Sequence, residues 1–346
     1  MAPGPARGDE AAQVTVSREA EARDDAGPLV SVVVPTYNYG RFIGEALDSL
    51  RAQTHGAWEC VVVDDGSTDD TEEVVARVSA ADPRVRYLRQ PNRRQAAAKN
   101  TGLADARGRY VQFLDADDLL EPRKLERQVE FLEANPAADI VYGGARYFHT
   151  GRPGERLYGM FGEEAPWMPE LSGAGGGLVR ALVRMNIMAI NAALVRREAV
   201  EDVGPFDPAL PPVEDWDFWL RCALKGKRFE FRDFEGALAL VRAHESSTSR
   251  QPAPVLAAWR ALRAKIDTLT DDPEVLLLNR EMKSQLEAAL GAEAVAAGSR
   301  LSAARQFARA ARLCPRPKGS LKWLLCALGS PVMSERQVRA LMKATL

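Results

Sequence analysis

The chain has 346 residues, enough for two domains or for one large domain with an appendage. Hydrophobic residues make up 46% and charged residues 27%, as in ordinary globular proteins, and a net charge of −2 argues against the whole chain being a nucleic-acid binder. Four scattered cysteines (Cys60, Cys222, Cys314, Cys326) lack C-x-x-C spacing, which argues against zinc and a disulfide framework and fits reduced, cytoplasmic thiols. No apolar run reaches the roughly 18 residues of a membrane span.

Residues 1–27, rich in Ala, Pro, Gly and acids, read as a disordered leader without signal-peptide character. VSVVV, from Val30, predicts a buried strand ending at Pro35. FIGEALDSLRAQ follows with helical spacing, placing Phe42, Ala46, Leu47 and Leu50 on one face. WECVVVD is a second buried strand with Cys60 in the core. After the turn-rich DGSTDD, Asp69 and Glu72 have capping-box spacing for the helix TEEVVARVSA. VRYLRQ is a third strand, QAAAKNTGLADA a helix and YVQFLD a fourth strand. This alternation predicts an α/β fold with a mostly parallel sheet. Ligands of such sheets bind at the carboxyl ends of the strands, where PTYN, DDGS and LDADD all fall.

From about Ile140 to Thr248 the pattern is less regular. It ends in VGPFDPALPPVEDWDFWLRCALKG, a loop feeding a helix with Trp216, Trp219, Leu220 and Ala223 on one stripe. A boundary near QPAP (251–254) separates a domain over 28–250 from an Ala- and Leu-rich helical domain over 251–346. There Leu290, Gly291, Ala303, Phe307, Ala310 and Pro315 match the spacing of one tetratricopeptide unit, or simply of a helical hairpin. Arg305, Arg309, Arg312 and Arg316 recur at helical spacing: a solvated face, or a contact for an anionic membrane surface or a polyanionic partner.

The residues with chemistry to offer sit at the strand ends. In an extended strand end, Asp115 and Asp117 of FLDADD point together and suit a hard divalent cation, while Asp118 points away. The alternative is an acidic turn in which Asp118 caps a helix opening at Glu121–Pro122. Asp64–Asp65 offers a carboxylate to a nucleobase or ribose, or is a turn. Pro35, Thr36, Tyr37 and Asn38 present an aromatic face with amide and hydroxyl groups. Lys99 reads as a diphosphate or acidic-cluster partner, or equally as a surface lysine. Glu214, Asp215 and Asp217 are either first-turn acids favoured by the helix dipole or the source of a general base.

VSVVVPTYN, VVVDDGSTDDT, AAAKNTGLADARGRYVQFLDADD and VGPFDPALPPVEDWDFWLR occur in this order, and the set closely resembles the family 2 glycosyltransferases over roughly Leu29 to Ser249. The resemblance implies the GT-A fold, here with a C-terminal α-helical extension. It also implies a nucleotide-diphosphate sugar donor, most often a UDP-sugar, a divalent metal (Mn or Mg), and usually inversion at the anomeric carbon. By motif match, Tyr37 and Asp65 contact base or ribose, Asp115 lies near ribose and metal, Asp117 is the main metal ligand, and Asp215 is the base, with Glu214 next. VRAHESSTS resembles the family's Tyr-Arg-x-His-x-x-Ser with Val241 replacing the tyrosine; it makes His244 a metal or diphosphate ligand, with Arg242 supplying charge nearby. The implied acceptor is a saccharide or lipid-linked hydroxyl in polysaccharide or glycoconjugate synthesis. The implied location is cytoplasmic, with peripheral membrane or protein contact through the basic tail. A sugar-nucleotide pyrophosphorylase and a non-catalytic sugar-nucleotide scaffold are the alternatives. PTYNYGRF is not the Gly-rich, basic triphosphate loop of the former, and the retained Asp117 and Asp215 count against the latter.

Overall fold

The structure is a computed structural model, and it describes residues 27–159, 163–244, 252–332, 334, 336–338 and 340. The leader before residue 27 and the Ser-rich end of VRAHESSTS lie outside the described residues. The first elements in chain order are β1 (Val30–Thr36), α1 (Gly40–Arg51), β2 (Trp58–Asp64), α2 (Thr71–Ala81), β3 (Val85–Arg89), α3 (Arg94–Asp105) and β4 (Tyr110–Phe113). Then come β5 (Leu119–Leu120), α4 (Lys124–Ala134), β6 (Ile140–Tyr142), β7 (Ala145–His149), α5 (Gly176–Arg184), β8 (Ala193–Arg196), α6 (Arg197–Val203) and α7 (Glu214–Leu224). The rest are β9 (Phe229–Phe231), β10 (Ala239–Ala243), α8 (Pro252–Leu269), α9 (Pro273–Ala296), α10 (Arg300–Leu313) and α11 (Pro317–Gly329).

These elements make two compact units. One runs to Ser172 and includes Met188–Pro205 and Arg228–Ala243; the other comprises Gly173–Ile187, Phe206–Lys227 and the chain from His244. The first unit is built on a seven-stranded sheet of order β3-β2-β1-β4-β8-β6-β9. Its β3, β2, β1 and β4 run parallel, and β8 is antiparallel to both neighbours. Every residue of β1 and β2 is buried, as their β-branched composition requires of a sheet covered on both faces. β1 runs one residue beyond the expected end, through Pro35 to Thr36. Proline is tolerated there because β4 pairs β1 only as far as Val33. A second sheet, β5-β10-β7, is short and mixed.

The expected capping box of α2 does not form. Asp69 accepts the backbone N–H of Thr71 at 3.1 Å and, across the fold, that of Gly40 at 3.0 Å, so one carboxylate ties the starts of α2 and α1 together. Glu72 instead pairs with Arg89.

In the second unit, α7 and the tail helix α8 belong to one body, so compactness does not follow a single cut near residue 251. Trp216 of α7 meets Trp259 of α8 edge-on with ring centroids 5.6 Å apart, and its indole N–H donates to the Leu182 carbonyl of α5 at 2.6 Å. Further along, α9, α10 and α11 pack around Phe307, Ala303, Ala310 and Cys326. Gly291 is the close-approach position: a Cβ there would meet the Phe307 ring at 3.0 Å.

Packing of α3 on the parallel strands gives a stability test. A Cβ on Gly102 would lie 2.4 Å from Val33 Cγ1 and 3.3 Å from Val63 Cγ2. Gly102→Ala gains about 1 kcal/mol of helix propensity, but overpacking against two buried strands costs about 1–3 kcal/mol. The urea midpoint is therefore expected to fall; an unchanged or higher midpoint would contradict this close approach.

Candidate active site

At the carboxyl edge of the parallel strands, β1 and β2 end side by side. The Thr36 carbonyl accepts the Asp65 N–H at 2.8 Å. Asn38 takes a left-handed backbone (φ 57°), which asparagine tolerates better than most residues. Its N–H donates to Ser67 Oγ at 2.9 Å, and its side-chain oxygen accepts the Thr68 N–H at 2.8 Å. PTYN and DDGST are thus buckled into one surface. Asn38 spends its carbonyl oxygen on that buckle, Tyr37 stands 44% exposed, and Pro35 and Thr36 are buried. The Thr36 hydroxyl has no hydrogen-bond partner among the described residues.

Both strand-end aspartates of β2 are buried and engaged. Asp64 accepts the Ser67 N–H at 2.7 Å and the Tyr87 hydroxyl at 2.6 Å. One oxygen of Asp65 accepts Gln90 Nε2 at 2.7 Å and the Arg93 N–H at 2.9 Å, fixing the chain just before α3. Lys99, on α3, is 1% exposed, which removes the surface-lysine reading: this segment packs against the sheet.

The acidic segment is a turn and not an extended strand end. β4 stops at Phe113, and the Asp118 N–H donates to the Asp115 carbonyl at 3.0 Å. An i→i+3 bond of this kind folds the chain back, so alternation of faces does not apply. Nor does Asp118 cap a helix, because α4 begins only at Lys124, preceded by Arg123. Its carboxylate is buried and accepts the Arg242 N–H at 2.7 Å and Asn191 Nδ2 at 2.9 Å. Arg242 adds a second clamp, donating from Nε to the Asp117 carbonyl at 2.6 Å. Its own head is buried over the rings of Phe42 and Phe148, and Nη2 reaches Glu45 at 3.0 Å. Its Nη1 has no hydrogen-bond partner among the described residues.

Burial, and then the neighbouring charges of Asp117 and Asp115, push Asp118 well above the usual carboxylate range despite the Arg242 contacts. The Tyr39 phenol is pushed up by burial and by the same three carboxylates, so it faces the cluster. Asp115 and Asp117 are only partly buried, and Asp115 accepts Gln95 Nε2 at 2.7 Å. The turn therefore concentrates negative charge where solvent and ligands reach it. Behind it the network continues inward. Asn191 accepts Gln112 Nε2 through its carbonyl at 3.0 Å, and Gln112 Oε1 accepts Lys124 Nζ at 2.6 Å. Lys124 is fully buried, donates also to Gln128 Oε1 at 2.6 Å, and is held well below the usual lysine range by that burial. Sequence reading missed Tyr39, Gln95, Asn191, Gln112 and Lys124; only the polar Gln112 inside the apolar run YVQFL carried a signal.

Among the described residues, no group of three or more His, Cys, Asp or Glu side chains is arranged to hold a metal. The turn nevertheless fits a hard cation that takes one or two carboxylates from the protein and the rest of its shell from phosphate and water. A carboxylate whose pKa is raised by two neighbouring ones marks charge that a cation would relieve.

In the second unit, the three first-turn acids of α7 differ sharply. Glu214 is 2% exposed, and Asp217 is fully buried between Arg221 and Lys265, both at 2.8 Å. Asp215 alone is partly open and accepts Asn186 Nδ2 at 3.0 Å. Asn186 lies two residues past the end of α5, whose last carbonyls, Val183 and Arg184, accept the buried Arg263 guanidinium, a cation on a helix C-terminus. Burial lowers Arg263 only to about 10, so it stays charged at neutral pH. His244 follows the last residue of β10 at intermediate exposure.

The model of Glycosyl transferase family 2 matches residues 31–204. The chain belongs to this family. It is 30% identical to an uncharacterized glycosyltransferase of Nostoc sp., over 65% of this chain and 70% of that protein. Two other curated relatives are much longer, and the matched region spans only 27% and 20% of them. Solved structures show the same GT-A fold. S. aureus TarS 1-349 in complex with UDP gives a TM-score of 0.61 at 19% identity, covering 91% of this chain and 90% of that one. The mannosyltransferase PcManGT of Pyrobaculum calidifontis, in complex with GDP-Man and Mn2+, gives 0.56 at 23% identity, covering 96% and 97%.

The raised pKa of Asp118 predicts a pH dependence. The folded state holds this proton more tightly than the unfolded state, so stability declines as pH rises from the ordinary carboxylate range through the raised value, then levels off. Urea unfolding across that window is expected to show this slope in the wild type and a flatter profile in Asp118→Asn; identical slopes would contradict the assignment.

Proposed function

We propose that the protein is an inverting, metal-dependent glycosyltransferase that moves a sugar from a nucleotide-diphosphate sugar, a UDP-sugar by preference, to a saccharide or lipid-linked hydroxyl in polysaccharide or glycoconjugate synthesis. The observation that carries this reading is the acidic turn Asp115–Asp118, clamped by Arg242 at the same sheet edge as the buckled PTYN and DDGST segments. Tyr37 offers a ring face to the base, and Asp65 with Thr36 offers polar groups to base or ribose. Pro35 and Asn38 shape that wall. Lys99 and Arg242 are the nearby cations assigned to the diphosphate end, Arg242 also through its hold on the turn.

Asp117 and Asp115 would hold Mn2+ or Mg2+, with His244 as a further ligand. The ion, when bound, offsets the charge that develops on the departing diphosphate. Asp215 is the general base. As the acceptor oxygen forms its bond to the anomeric carbon and the bond from that carbon to the diphosphate oxygen breaks, the hydroxyl proton passes to the Asp215 carboxylate. Its partial exposure and the Asn186 hydrogen bond support this choice over buried Glu214, which is the second candidate.

Nucleoside diphosphate release and donor binding separate the parts of this proposal. With Mn2+ and the correct donor among UDP-, GDP- and dTDP-sugars, binding stabilises the protein by about 2.7 kcal/mol at roughly a hundredfold excess over Kd, seen as a raised melting temperature. Asp215→Asn is expected to keep that shift while transfer falls by about 10²–10⁴-fold. Full activity in Asp215→Asn would refute the base assignment, and the absence of any donor-dependent shift would refute the transferase reading.

A further inference from the structure

The tail helix α11 carries two apolar faces. One is buried: Cys326 and Ala327 pack with Phe307, Ala303 and Ala310 of α10. The other holds Leu321, Leu324, Leu325 and Leu328, which are 58, 45, 48 and 70% exposed. Their spacing of three and four residues aligns them in one ridge along the helix. Val332, just past the helix end, is 84% exposed. A helix that is apolar around most of its circumference ordinarily lies inside a protein, and this ridge gathers far more bare apolar surface than the single leucines scattered over an ordinary surface.

The segment that carries the ridge bears charges of one sign. From Arg300 to Ser334 the sequence contains no Asp or Glu. Arg305, Arg309, Arg312, Lys318 and Arg336 are exposed, and so is Arg316, which pairs with Glu281 at 2.9 Å. A second copy docking through the same face would set cations against cations, which like-charge repulsion disfavours. A surface of anionic headgroups over an acyl layer satisfies both features together: leucines enter the boundary and the cations meet the headgroups. Among the described residues no helix is long and apolar enough to cross a membrane, so the contact is interfacial.

We propose that the leucine ridge of α11, together with the exposed cations of α10 and α11, docks this protein onto an anionic lipid surface. The ridge, and not the arginine row alone, supplies the apolar part of the binding. This inference stands apart from the assigned chemistry, since none of its residues belongs to the sugar-nucleotide site.

Flotation of the full chain with lipid vesicles tests it. Wild type is expected to float with vesicles of phosphatidylcholine and phosphatidylglycerol, to remain behind with phosphatidylcholine alone, and to be released by added salt. The double substitution Leu321→Ser/Leu328→Ser, at exposed positions that leave the melting temperature unchanged, is expected to reduce flotation about tenfold or more. Arg305→Gln/Arg309→Gln is expected to reduce it on anionic vesicles as well. The proposal is overturned if wild type does not float, or if the serine variant floats equally. It is also overturned if wild type forms a dimer in solution that the serine variant abolishes, which would make a second copy the occupant.

Discussion

The site depends on one buried carboxylate. Asp118 accepts the Arg242 N–H and Asn191 Nδ2, and so fastens the acidic turn to β10 on one side and to the segment before β8 on the other. Hydrogen bonds to a charged group contribute about 1.5–3 kcal/mol each, while burying the charge costs several kcal/mol. The direction of its pKa shift says that burial and like-charge repulsion outweigh the two bonds. The turn is thus a loaded element, held by geometry against its own electrostatics. Preorganised charge of this sort favours a ligand that brings the missing positive charge.

Rigidity reaches the turn from the interior. Asn191 connects Asp118 to Gln112 of β4, and Gln112 connects to Lys124 at the start of α4. Lys124 sits among amide oxygens, donating to Gln112 and Gln128, and so ties β4 to α4 through a chain of hydrogen bonds. Arg242 performs the complementary task from the second sheet, holding the Asp117 carbonyl while its guanidinium is packed between two phenylalanine rings. In the second unit the same economy recurs. Glu214 and Asp217 are buried, and Arg263 fixes the end of α5 from which Asn186 reaches the one carboxylate left partly open.

Much of this was legible in the sequence. Runs such as VSVVV and WECVVVD have few other ways to bury their side chains, so the strands, their parallel order and the edge that collects PTYN, DDGS and LDADD follow from local pattern. What the pattern could not carry were the partners of single side chains. Asp118 is 73 residues from Asn191 and 124 from Arg242, so nothing local distinguishes a helix cap from a buried clamp. The turn at Asp115–Asp118 and the expected strand end have the same residues, and the backbone hydrogen bond that closes the turn leaves no local mark in the sequence. Lys99 left a surface reading open, and Lys124 gave no signal at all, because sequence shows the charge and not the enclosing surface. The arginine row of α10 was visible, but the ridge on α11 gained meaning only once its opposite face was seen to be buried.

The central claim is that the clamped turn is the cation and diphosphate anchor, and Mn2+ electron paramagnetic resonance tests it most directly. Titrating the protein into Mn2+ with UDP should deplete the free-ion signal. Asp117→Asn should abolish that depletion, and Asn191→Ala, which leaves every proposed ligand in place, should weaken it. Depletion that is equal in all three proteins would contradict the account.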